Sequence, residues 1–180
     1  MTKSVALAFV LLAALTLSAQ RDKAERSAAE DNSDNWCLLI PEPGQLLPKP
    51  VIHAVMNSKE ATPARKMMRE EGNDPYLSAP LSGIRVHITD SGGPTYLVGG
   101  SSPLTGGDNR WFWMVQQSGE AARVLWFEGT GCVHIGRKST RGYRDIETEW
   151  EVPGYRIVRE YRWDSHVYKL HREYREDKAL

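Results

Sequence analysis

The sequence predicts an α+β domain, mainly antiparallel β, in which about eight strands form a sandwich- or barrel-like meander behind one or two short N-terminal helices. Three observations carry this. From Ile84 onward apolar and polar residues alternate with a period of two, which turns one side of an extended chain toward a core. Clusters of Gly, Pro, Asp or Ser bound each alternating run at short intervals, the punctuation of a meander. A helical pattern, Thr62-Pro63 followed by ARKMMREE, precedes the strands and stops at Gly72.

Taken in order, residues 1–19 read as a signal peptide. Lys3 gives the positive start, Val5 to Leu17 is an apolar run, and Ser18-Ala19 supplies small residues for cleavage. The run is shorter than the roughly 20 residues that span a bilayer. Residues 20–35 contain no apolar side chain larger than alanine. Such a stretch cannot bury enough surface to offset its ordering entropy and reads as a flexible leader. Residues 36–58 open with Trp36-Cys37-Leu38-Leu39-Ile40 and continue as a Pro-rich connector, whose stretch PEPGQLLPKP is expected to be extended. The globular domain is placed at 59–174, with a charged tail at 175–180. In its helix, Thr62 is expected to cap and Pro63 suits the first position. Early Arg and Lys with late Glu70-Glu71 oppose the helix dipole, so packing through Met67 and Met68 must stabilise it. The strands then run through Ile84-RVHI, Pro94-TYLV, Arg110-WFWMVQQ, Ala122-RVLWFE, Cys132-VHIG, Tyr143-RDIETEWEV, Tyr155-RIVREYRW and His166-VYKL.

The hairpin over 145–163 can be registered from sequence. If Pro153-Gly154 turn the chain, Trp150 faces Ile157, Glu151 faces Arg156 and Asp145 faces Arg162. A one-residue slip would turn the apolar face outward. The acidic stripe of Asp145, Glu147, Glu149 and Glu151 then meets arginines, which favours a charge-paired sheet face over a cation site. Glu147 opposite Glu160 is a local cost. Gly142 is expected to take a turn conformation closed to other residues. With Tyr143 and Asp145 it forms a structural turn, in which Asp145 bonds the turn backbone.

Charge excludes some functions. The chain carries 23 basic and 23 acidic residues, and loss of the signal peptide removes one base, Lys3. A near-neutral domain is not steered to nucleic acid or to an anionic membrane, and no membrane span remains after cleavage. Cys37 and Cys132, an even count in an oxidising compartment, are expected to form a disulfide. Neither a cofactor motif nor a metal-ligand spacing stands out. Trp111 and Trp113 share one strand face. If uncovered, they would form an aromatic strip that, with Arg110, Arg123 and Arg162, could bind a protein or a glycan of the cell envelope.

Ser139-Thr-Arg-Gly-Tyr-Arg-Asp-Ile146, Trp150, Tyr161-Arg-Trp-Asp164 and Tyr168-Lys169 resemble the C-terminal signature of a group of small exported bacterial proteins with endings of the form TNGYxDL…W…RFDGxxY. The resemblance spans residues 76–170 and implies an exported β-rich domain without implying a reaction. The NGDG turn and CGSxGC pair of that group have no counterpart in Thr89-DSGGPTYLVGG or Ser101-SPLTGGDNRWFW. The functional expectation is a periplasmic or secreted, non-enzymatic binding or interaction domain. The alternatives are a small hydrolase using Cys132 and His134 or a surface carboxylate, and an envelope structural protein.

Overall fold

The computed structural model describes residues 35–37, 47–106 and 109–177. The expected signal peptide, the leader up to residue 34 and the tail at 178–180 lie outside the described residues. The elements are β1 (Asn35–Cys37), α1 (Lys49–Met56), α2 (Thr62–Glu70), β2 (Leu81–Val86), β3 (Thr95–Gly100), β4 (Thr105–Gly106), β5 (Asn109–Ser118), β6 (Ala121–Thr130), β7 (Cys132–Thr140), β8 (Tyr143–Val152), β9 (Tyr155–Trp163) and β10 (Tyr168–Asp177). All strand pairs are antiparallel. One sheet has the order β1-β7-β8-β9-β10. The other runs β2-β3-β5, with β4 and β6 both paired to β5. The sheets stack as a sandwich and neither closes into a barrel. The short β1 and β4 are the strands that the sequence pattern does not reveal.

The β5 run Trp111-Phe112-Trp113-Met114-Val115 is apolar throughout because its sheet is covered on both faces. Phe112 and Met114 enter the inter-sheet core with Leu97, Leu125, Ile135 and Ile146. Trp113 and Val115 point the other way, into a second core beneath the helices with Val51, Val55, Met56 and Met68. Residues 49–56 are therefore helical, so the segment expected over 36–58 contains a helix; residues 38–46, which hold most of the stretch expected to be extended, lie outside the described residues. Pro48 is the N-cap and Pro50 lies in the first turn, where a missing N–H costs nothing. Val51 and Val55, four apart, are both fully buried. In α2 the N-cap is Ala61 rather than Thr62. Met68 packs inward with Ala64, whereas Met67 is exposed.

The β8–β9 hairpin has the expected register, with Trp150 opposite Ile157 and Glu151 opposite Arg156. Val152 pairs with Tyr155 across Pro153-Gly154, and Gly154 adopts φ +87°. The β7–β8 turn places Arg141 at φ 53° and Gly142 at φ 81°, the left-handed pair that suits the strand twist of a two-residue loop. Gly131 alone carries the chain from β6 in one sheet to β7 in the other. At this corner the buried Thr130 hydroxyl lies 2.8 Å from the Glu149 carbonyl and 3.2 Å from that of Cys132, and Gly131 N–H donates to Glu149 O.

Candidate functional site

The expected aromatic strip is not presented to solvent. Trp113 is fully buried, and Trp111 is half-buried, edge-on to Trp113 and Phe127. Both belong to the core beneath the helices, so the element misread as connector helps cover the face on which they lie. Arg110 is half-buried at one end of β5, opposite Thr130. Arg123 is exposed farther along the β5–β6 hairpin, opposite Gln116, and stands 5.9 Å from the Trp163 ring centroid. Arg162 is exposed on the other sheet, its Nε 3.7 Å from Asp145 Oδ2. These five residues do not converge.

A different set does. On the face of the β1-β7-β8-β9-β10 sheet that points away from the inter-sheet core, β7 places Cys132 and His134 two residues apart. Across β8 they meet Glu149 and Glu147, respectively. His134 Nε2 lies 3.3 Å from Glu149 Oε1. Glu149 Oε2 accepts from Arg156 Nη1 at 2.9 Å, and Arg156 Nε donates to Glu176 Oε2 at 2.7 Å. Glu149 and His134 keep only 14% and 19% of their side-chain surface exposed, so their geometry is packed as well as bonded. One ligand-type atom each from Cys132, His134 and Glu149 lies within 4.8 Å of the others. Three donors of different chemistry thus meet at one point of a sheet face.

Glu147 sits between His134 on β7 and Glu160 on β9. Burial raises its carboxyl above the ordinary carboxylate range; the neighbouring Glu149, Glu160 and Glu176 add to this and His134 opposes it. Two carboxylates directly opposite each other are unfavourable.

Sequence spacing could not have assembled this set, because β7 carries a bulge. Counting back from the Thr140–Tyr143 pair would set Cys132 opposite Glu151. The register shifts between Ile135 and Ser139, and Cys132 pairs with Glu149 instead. Arg144 holds this irregularity in place. Its guanidinium donates to the carbonyls of Gly136 at 2.7 Å and Ile135 at 3.1 Å, and to His87 at 3.1 Å. Asp145 faces Arg162, as the hairpin register expects, while its Oδ1 has no hydrogen-bond partner.

In the β1–β7 ladder Cys37 is the register partner of Cys132. No cysteine is free among the described residues. A shallow depression of about 310 Å³ runs along α2, lined by Thr62, Arg65, Lys66, Arg69 and Glu70, away from every site residue expected from sequence. Among the described residues no helix is long and apolar enough to cross a membrane. Comparison with protein-family models, with curated proteins and with solved structures finds no match to this chain.

Proposed function

We propose that this chain is an exported, non-enzymatic binding domain of the cell envelope, and that it engages a basic segment of a partner protein through the acidic outer face of the β1-β7-β8-β9-β10 sheet. The observation that carries this reading is the Glu147–Glu160 pair, two carboxylates set opposite each other beside the partly buried Glu149. Such a pair costs stability in the free domain; Arg172 stands opposite Glu160 on β10, which leaves Glu147 as the carboxylate that a lysine or arginine brought by a partner would pair. The sequence supports export through residues 1–19 and through the resemblance to small exported bacterial proteins. An export compartment also favours a Cys37–Cys132 disulfide. Directly opposed residues in an antiparallel ladder have Cα atoms about 4.5–5.5 Å apart, inside the range that a disulfide bridges.

The test is peptide binding to the exported chain, measured with lysine- and arginine-rich peptides at two salt concentrations. Binding is expected to weaken with salt. The double variant Glu147→Gln/Glu160→Gln should lower affinity roughly fivefold to thirtyfold, as for the loss of two partly exposed ion pairs of about 0.5–1 kcal/mol each. Equal binding of acidic peptides, or an unchanged affinity in the double variant, rules the reading out.

A further inference from the structure

We infer that the Cys132–His134–Glu149 cluster is a redox-gated site for a divalent transition metal of the zinc type, closed in the disulfide form and opened by reduction. The inference rests on the disulfide reading above; metal binding at this cluster does not require the basic partner.

The argument begins with donor chemistry. A thiolate, an imidazole and a carboxylate make up the mixed set that zinc accepts, with bonds of about 2.0–2.3 Å in a tetrahedron. Such bonds hold ligand atoms roughly 3.5 Å from one another. The three donors already lie within 4.8 Å of each other, close to that spacing. The set leaves a fourth position for water, and the register partner of Cys132 is Cys37, the other half of the disulfide that must open. Alternation on β7 fixes Cys132 and His134 to one face, and the Thr130–Gly131 corner fixes Glu149 against them. Arg156 bonds Glu149 Oε2, while Oε1 is the atom on the His134 side. The carboxylate is therefore oriented by an outer partner, as metal-ligating carboxylates commonly are.

The gate is covalent. A dithiol reductant delivers two electrons and two protons to the Cys37–Cys132 bond. The S–S bond breaks, two thiols form, and the reductant leaves as its own cyclic disulfide. Metal binding then expels the Cys132 thiol proton, because the thiolate is the ligand. In the oxidised chain neither sulfur is available as a thiolate, and His134 and Glu149 alone make a weak site.

The experiment uses the full exported chain and cobalt(II) as a spectroscopic stand-in for zinc. Thiols are counted before and after treatment with a dithiol, which is then removed under anaerobic conditions, and cobalt is titrated into both forms. The expected result is no thiol and no thiolate-to-cobalt absorption in the oxidised chain, against one equivalent bound with that absorption in the reduced chain. His134→Ala and Glu149→Gln should each weaken cobalt binding by at least about tenfold, with circular dichroism confirming that both variants fold. Equal binding in the two forms, no thiolate absorption after reduction, or wild-type affinity in both variants overturns the inference. Two thiols in the untreated chain defeat the disulfide reading, and the gate with it, whatever the cobalt titration gives.

Discussion

Asp164 closes the β9–β10 connection with its own carboxylate. Oδ1 accepts from the N–H groups of His166 and Val167, both at 3.1 Å, while Oδ2 pairs with Lys169. The Lys169 ammonium, followed by those N–H groups, holds the carboxyl far below its usual range. Because the folded value lies below the unfolded one, the stabilisation is present above the ordinary aspartate range and is lost as pH falls toward the folded value. Asp164→Ala should therefore lower Tm at neutral pH, and the difference from the natural chain should shrink steadily in acid. A Tm difference that does not change with pH would show that the carboxylate charge contributes nothing. Arg144 makes a larger contribution, since one guanidinium satisfies carbonyls on β7 and on the segment after β2. Arg144→Met should cost on the order of 3 kcal/mol, from the loss of charge-assisted hydrogen bonds and the stranding of half-buried carbonyls. Denaturant unfolding measures it, and a loss below about 1 kcal/mol would show that water takes over the role.

At the scale of elements, β1 is three residues long, and so short a strand has few ladder bonds with which to hold the sheet edge. A Cys37–Cys132 link would close a long loop, and chain-entropy reasoning puts its worth at about 4.7 kcal/mol. Cys37→Ala should lose about that much stability, and reductant should lower the natural chain to the same level while leaving the variant unmoved. Equal Tm values with and without reductant in the natural chain would remove the link from the account. The elements also differ in how far residue order alone defines them. The β8–β9 hairpin was legible because Pro153-Gly154 marks the loop and a slip by one residue would expose Ile146 and Thr148, which are buried. Helix α1 was hidden because its prolines, read locally, argue for extended chain. They are harmless in a first turn, and Val51 and Val55 decide the matter by docking on β5 and β6. The cluster at Cys132, His134 and Glu149 was hidden for another reason. Its third member depends on a bulge, and that bulge is held by a side chain, Arg144, whose three carbonyl partners are known only once the sheets have stacked.

For the molecule as a whole, the β2–β6 sheet separates two cores that share no buried residue. Leu104 lies fully buried beneath the helices and Ile146 lies between the sheets. Leu104→Ala should cost about 2–5 kcal/mol and Ile146→Val about 0.5–1.5 kcal/mol, the usual range for each truncation. Both losses should appear in a single unfolding transition, because the sheet between the cores contributes a face to each. Phe112 and Met114 cannot leave one core while Trp113 and Val115 remain in the other, since the four alternate along one strand. The costs should also add to within about 0.5 kcal/mol in the double variant, as for sites that touch no common side chain. Urea titration followed by tryptophan fluorescence and by far-ultraviolet circular dichroism distinguishes the outcomes. Trp113 reports on the helix-covered core, Trp126 and Trp163 on the inter-sheet core, and circular dichroism on the strands of both sheets. Coincident midpoints and additive losses are the result for two cores joined through one sheet. Separated midpoints would mean that the helix layer melts from a sandwich that persists without it, and that β5 tolerates an exposed Trp113.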